Sequence, residues 1–129
     1  MKKINTFLFA LIVLVSSSFA QSKKAVWVEK ANFQKLAKVV YDDVIKFEYK
    51  SIRATAADLY TASKNLNESV VPKNYKVQET KVLLGKVMME CAQIQTELAN
   101  GGNDDKVREM TIYTYRLYSK IDKECKISE

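Results

Sequence analysis

The stretch IYTYRLYSKIDKEC, residues 112–125, carries the side chains of this 129-residue chain that are best suited to contact or redox chemistry. Its tyrosines Tyr113, Tyr115 and Tyr118 each combine a broad apolar ring with a hydroxyl that can stay wetted at a rim. At helical spacing they point in several directions, so some must lie at the surface. Tyr115 and Tyr118 are the candidate contacts for a partner or ligand, and packing of the same rings between helices is the alternative.

The chain has two cysteines, Cys91 and Cys125. Lys123 and Lys126 flank Cys125 and favour its thiolate, whereas the C-terminal end of a helix opposes it. Cys125 is therefore a candidate reactive or intermolecular thiol, which could link a homodimer. The alternative is a partly covered helix-end residue that packs near Val77 or Gln78. Cys91 lies on an apolar stripe and is predicted to be a small buried side chain. We expect no internal disulfide, because the antiparallel hairpin predicted below would set the sulfurs about 20 Å apart.

The composition offers little to a catalytic or metal site. With no histidine, the chain lacks an imidazole base, a histidine ligand and every nucleophile arrangement that needs histidine. Its glutamates fall mainly off the apolar stripes, where solvated faces are expected in place of a carboxylate metal core. There is also no glycine-rich phosphate loop. We therefore predict a protein that is not an enzyme and that has no catalytic residue, metal or cofactor.

The first residues show the order of parts of a secretory signal. Lys2 and Lys3 precede the apolar run Phe7 to Val15, and the segment SSSFA that follows places the small residues Ser18 and Ala20 before the cleavage point. The apolar run is too short for a stable membrane span, which needs roughly 20 residues. We expect cleavage before Gln21 and export to the periplasm or the extracellular space.

Cleavage of a signal peptide at residues 1–20 would leave residues 21–129, a length typical of one domain. Two lysines leave with the signal, so 21 basic and 15 acidic residues become 19 and 15, and the net charge falls from +6 to +4. The positive charges are scattered among acidic residues along helical stretches, which is typical of solvated helix surfaces. We expect no nucleic-acid partner.

The elements that must position these side chains are helices. Apolar residues recur at steps of three and four, and one proline and three glycines leave few turns. Such stripes are stable only when buried against one another, so the predicted fold is all-α, an up-down-up-down antiparallel four-helix bundle. The four stripes are Phe33, Leu36, Val40, Val44 and Phe47; Ile52, Ala56, Leu59, Ser63 and Leu66; Val77, Thr80, Leu84, Val87, Cys91, Ile94 and Leu98; and Val107, Met110, Thr114, Leu117 and Ile121.

Turn-forming residues divide the helices. Pro72 separates the second from the third, the run Asn-Gly-Gly at residues 100–102 stops the third in a left-handed turn, and Asn103 caps the fourth. Residues 29–68 contain neither glycine nor proline, yet one helix of that length would measure about 60 Å against about 35 Å for its partners. We therefore predict a bend between residues 42 and 51.

The segment ELANGGNDDKVREMTIYTYRLYSKIDKEC resembles the closing hairpin of the exported four-helix cytochromes, the soluble b-type cytochrome and cytochrome c prime group. YKSIRATAADLYTASKNL, followed by VVPKNY, is similar to the second helix and proline linker of haem-free periplasmic bundles. The resemblance implies a haem-free relative of this architecture. Tyr118 stands about where b-type members place their haem-ligating histidine, and there is no C-x-x-C-H attachment signal.

These observations predict a non-enzymatic exported helical bundle that binds a partner protein or a small apolar ligand. The alternative is a redox or electron-transfer protein that acts through Cys125 or through an atypically ligated haem.

Overall fold

The computed structural model describes residues 26–127, so the predicted signal peptide lies outside the described residues. Within this range the chain forms four α-helices and a π-helical turn, with one isolated β-bridge and no strand. The elements are α1 (Val28–Ile45), α2 (Lys50–Glu68), α3 (Val77–Ala99), α4 (Asp104–Lys120) and the π-turn (Ile121–Cys125). Each helix packs on the next along the chain, and α1 packs on α4. The predicted all-α bundle of four helices is confirmed.

The core is built from the predicted stripes, because each helix turns the same face inward every three to four residues. Two predicted stripe members are exposed: Phe47, which follows the end of α1, and Val77, which begins α3. The largest side chains with almost no exposure are Phe33, Ile52, Leu66, Leu84, Ile94 and Ile121. These side chains come from α1, α2, α3 and the π-turn, and Val107 of α4 is equally buried. The elements therefore share one core.

Phe47 holds the position at the end of α1 that glycine usually takes. Its φ is 64°, Glu48 N–H donates to the Asp43 carbonyl at 3.0 Å, and Phe47 N–H donates to the Val44 carbonyl at 3.0 Å. These two bonds define a Schellman motif, which stops the helix. The guanidinium of Arg108 lies 4.6 Å from the centre of the Phe47 ring and partly offsets the backbone strain. The predicted bend is thus confirmed, although no glycine marks it.

Phe47→Gly is expected to be more stable than Phe47→Ala by about 1 kcal/mol. Both variants lose the contact between the ring and Arg108, but only glycine adopts a left-handed backbone without a Cβ penalty. Urea denaturation of the two variants measures the difference. Equal stability, or a more stable alanine variant, would contradict the left-handed backbone at this position.

The α3–α4 turn follows its predicted chemistry. Gly101 has a φ of 72°, and a Cβ on Gly102 would collide with Glu97. The side chain of Asn103 accepts a hydrogen bond from Lys106 N–H at 2.8 Å, which caps α4. The turn therefore fixes where α4 starts.

The chain end is tied to the linker between α2 and α3. Lys76 N–H donates to the Cys125 carbonyl and Ile127 N–H donates to the Asn74 carbonyl, both at 2.8 Å. Next to this pairing, the Tyr75 hydroxyl donates to Asp122 Oδ1 at 2.6 Å. We call this set of contacts the C-terminal latch. It holds the π-turn against the bundle.

A cation completes the latch. Lys30 Nζ donates to Asp122 Oδ2 at 2.9 Å. Partial burial opposes ionisation of Asp122, but the hydrogen bonds from Tyr75 and Lys30 hold its pKa below the usual value. The latch therefore connects α1, the α2–α3 linker and the π-turn through one carboxylate.

Candidate functional site

Tyr115 lies half-buried where α4 meets α1. Its ring stacks on that of Tyr41, with centroids 4.3 Å apart and an angle of 18° between the planes. Gln34 Nε2 donates a long hydrogen bond of 3.5 Å to the Tyr115 hydroxyl. The two rings therefore present a preorganised aromatic surface, part of which remains open to solvent.

Tyr118 does not share that surface. It is 3% exposed, its ring lies 4.8 Å from that of Phe33, and its hydroxyl donates to the Lys30 carbonyl at 3.3 Å. Burial raises the pKa of its phenol. The prediction that Tyr118 contacts a partner directly does not fit this burial; Tyr118 instead packs at 6.2 Å behind Tyr115 and supports it.

A groove of about 580 Å³ opens between α1 and α4, with the Tyr41–Tyr115 stack as one wall. Its lining residues are Tyr41, Tyr115, Arg116, Ser119, Lys120, Lys123 and Glu124. This volume lies within the range of small-ligand sites. We call it the tyrosine groove.

The tyrosine groove carries three positive charges, on Arg116, Lys120 and Lys123, against the one negative charge of Glu124. All four side chains are exposed. Ser119 sits among them, and its hydroxyl donates to the Tyr115 carbonyl at 2.8 Å. The groove therefore combines a flat aromatic wall with a net positive edge.

Beside the groove, α1 carries a lysine whose charge is already neutralised by an aspartate. Lys38 Nζ lies 2.7 Å from both carboxylate oxygens of Asp42, one turn along α1. The hydrogen bond to Asp42 is the main reason that the pKa of Lys38 is raised. Because this lysine already has its own counter-ion, the free positive charge of the groove belongs to α4 and the π-turn.

A second, smaller cleft of about 260 Å³ lies between α1 and α2. Its lining residues are Ala62 and five residues with polar side chains, Glu29, Asn32, Asp58, Thr61 and Asn65. Among residues 26–127 no group of three or more cysteine or carboxylate side chains could hold a metal ion. This cleft therefore offers two separate carboxylates and no preformed metal site.

Both cysteines are free thiols, and both are 1% exposed. Burial raises the pKa of Cys91 to about 12. Cys125 is held in the π-turn, where its carbonyl is part of the C-terminal latch. The prediction of a reactive or intermolecular thiol at Cys125 does not fit this burial, because a second chain cannot reach a covered sulfur.

The surroundings of Tyr118 do not suit a haem ligand. Its hydroxyl is engaged by the Lys30 carbonyl, and its ring is packed against Phe33 on one side with Lys30 Nζ at 5.3 Å from its centre. A haem iron would have to displace these contacts. Neither this geometry nor that of Cys125 favours the redox alternative.

Comparison of the chain with protein-family models, with curated proteins and with solved structures found no match. The resemblance to exported four-helix cytochromes therefore rests on turn chemistry and spacing alone and stays a prediction. No helix in the described part of the chain combines the length and apolar character needed to cross a membrane.

The sequence identified Tyr115 but missed the other groove residues. Tyr41 is seven positions from Gln34 on the same face of α1, beside the buried Val40 and Val44. The sequence feature that could have identified Tyr41 is an aromatic residue at the edge of the apolar stripe of α1. Arg116 and Lys120 were predicted only as charges on a solvated helix. Nothing in the sequence alone showed that they border Tyr41.

Proposed function

We propose that the mature chain, residues 21–129, is an exported, non-enzymatic protein that binds a partner protein through the tyrosine groove. The observation that carries this proposal is the Tyr41–Tyr115 stack, a rigid aromatic pair that borders an open groove. Tyrosine is enriched at binding hot spots because it supplies a large contact area with little conformational entropy to lose. A surface groove favours a partner chain over an apolar ligand between the helices, where core side chains already pack.

Two further features belong to the same proposal. The helices run up-down-up-down, which the closed ring of contacts between successive helices and the short connections support. The chain is exported through the signal at residues 1–20, which the charged, apolar and small-residue order supports. An intact mass of the protein recovered from its host tests the second feature. A chain that begins at Gln21 is expected, and a retained N-terminus would contradict export by this route.

The binding test places a photo-reactive residue in the groove at position 119 and, as a control, at position 93 on the exposed face of α3. The exported fraction of the host is irradiated, and the cross-linked partner is identified and purified. Cross-linking from position 119 alone is expected. Native mass spectrometry of the same sample before irradiation would show an added small mass if an apolar ligand, and not a partner protein, is bound.

Tyr115→Ala should then weaken binding of the purified partner at least tenfold, about 1.4 kcal/mol or more, because an interface tyrosine of this kind is often a hot spot. Tyr113→Ala is the matched control, since Tyr113 is 51% exposed on the same helix and does not line the groove. Equal affinity of the two variants would contradict the proposed site. Titration calorimetry measures both.

A further inference from the structure

The three cations of the tyrosine groove form a regular row. Arg116, Lys120 and Lys123 are separated by four and three positions along α4 and the π-turn. At 1.5 Å per residue, Arg116 and Lys120 stand about 6 Å apart along the axis of α4, and Lys123 follows in the π-turn. Residues at such spacing share one helix face. The row therefore lines one edge of the groove.

No member of the row has an ion-pair partner among residues 26–127. The four ion pairs in that range join Lys30 to Asp122, Lys38 to Asp42, Arg53 to Asp104, and Lys106 to Glu97. Cations near a helix C-terminus also compensate the helix dipole. That role requires no aromatic wall facing them, however, and the Tyr41–Tyr115 stack is a second, independent feature of the same groove.

The spacing of Arg116 and Lys120 is close to that of alternate residues in an extended peptide. In an extended chain the side chains on one face recur every two residues, about 6.6 to 7 Å apart. Carboxylates at alternate positions could thus reach Arg116 and Lys120 in succession. The residue between them would turn to the opposite face, toward Tyr41 and Tyr115.

We infer that the tyrosine groove binds an acidic, extended segment of the partner protein, with carboxylates on Arg116, Lys120 and Lys123 and an apolar or aromatic side chain on the Tyr41–Tyr115 stack. This inference rests on the proposed function. Arg116 suits a carboxylate especially well, because its planar fork can donate two parallel hydrogen bonds. Glu124 ends the positive stretch, since it would repel a further carboxylate.

The occupant is a peptide and not an anionic membrane surface. A bilayer is broad and flat, whereas these cations border a groove whose aromatic wall lies between two helices. A membrane would be met by exposed side chains around the groove and would leave its interior unfilled. Anionic phospholipid vesicles are therefore included in the experiment as a competing probe.

The experiment uses the mature protein and blocked synthetic peptides that carry an uncharged fluorophore. The probe has the pattern Glu-Phe-Glu-Leu-Glu, and matched peptides replace glutamate by glutamine or by lysine. Fluorescence anisotropy is measured at low and at high salt. The glutamate peptide is expected to bind at least about tenfold more tightly than the glutamine peptide. Its affinity should fall at high salt, because salt screens the charges.

Two triple variants distinguish the groove from general charge attraction. The first variant combines Arg116→Gln, Lys120→Gln and Lys123→Gln. It should bind the glutamate peptide at least about tenfold more weakly. The control variant combines Lys35→Gln, Lys64→Gln and Lys86→Gln, which remove the same charge from exposed positions outside the groove. Its affinity for the glutamate peptide should change less than about twofold. Circular dichroism checks that both variants keep their helices.

Equal losses in the two triple variants, or no binding of the glutamate peptide, would overturn the inference. Tighter binding of the glutamine or lysine peptide that still depends on Tyr115 would also overturn it, while leaving the proposed function in place. Binding of the vesicles with no binding of any peptide would reassign the row to a membrane surface. Failure of the cross-linking at position 119 would instead remove the proposed function itself.

Discussion

Phe33→Ala is expected to lower the free energy of unfolding by about 3–5 kcal/mol, the cost of emptying a fully buried phenylalanine site. Phe33 is 0% exposed in α1, and its ring lies 4.8 Å from the Tyr118 ring of α4. The loss combines the transfer free energy of the ring with the cavity left behind. Because single domains are stable by only about 5–15 kcal/mol, this variant should unfold at a much lower urea concentration.

Phe47→Ala is the matched control for Phe33→Ala, since it removes the same atoms from a side chain that is 66% exposed. Its ring contacts the Arg108 guanidinium, an exposed interaction worth about 0.5–1 kcal/mol. We therefore expect at least a threefold smaller effect than for Phe33. If Phe33→Ala fails to fold, Phe33→Leu replaces it in the comparison. The free energy of unfolding should fall less in Phe33→Leu than in Phe33→Ala. Similar losses for the two alanine variants would contradict the placement of Phe33 in the core.

The contrast between these phenylalanines shows what helical periodicity can predict. Both fit the same stripe at steps of three and four, yet only Phe33 is buried. Periodicity holds only while the helix continues, and α1 ends at Ile45. The sequence predicted a bend from the length of the helix alone. It could not place the bend at Phe47, because the left-handed position that usually requires glycine is filled by an aromatic residue that contacts Arg108.

Only part of the candidate site could be predicted from the sequence, because helical periodicity does not show how two helices pack. Tyr115 and Tyr118 are three positions apart, so they are neighbours on the same side of α4. Which of the two is buried depends on the tertiary packing with α1. Once Phe33 fills the core, Tyr118 becomes the inner residue and Tyr115 the outer one. Tyr41 belongs to a different helix. Its stacking on Tyr115 depends on how α1 and α4 are aligned, which no local pattern specifies.

The burial of Cys125 could not be predicted from the residues next to it. Its neighbours Lys123 and Lys126 are exposed, and in the sequence they suggested a reactive or intermolecular thiol. The π-turn changes this, because it turns Ile121 and Cys125 inward together at the end of α4. The backbone partners of the latch come from residues about 50 positions earlier. Such long-range pairing cannot be read from the residues around the cysteine.

In the native protein both thiols should resist alkylation by iodoacetamide at about pH 8, and both should react fully once the chain is unfolded. For Cys91, burial raises the pKa from 9.0 to about 12, which alone lowers the thiolate fraction about a thousandfold. The covered position of each sulfur slows the reaction further. Mass spectrometry of the digested protein measures the two rates separately.

Cys125 should be modified before Cys91, because opening the C-terminal latch exposes it without unfolding the bundle. Asp122→Asn keeps the shape of the side chain but removes the charge that holds Lys30 and Tyr75. Since the Asp122 side chain is 52% exposed, we expect about 0.5–1 kcal/mol of lost stability in the latch, and hence about two- to fivefold faster modification of Cys125. The rate at Cys91, in the middle of α3, should not change. Modification of native Cys125 at the rate of a free thiol would instead show an accessible sulfur and would restore the prediction of a cross-linked homodimer.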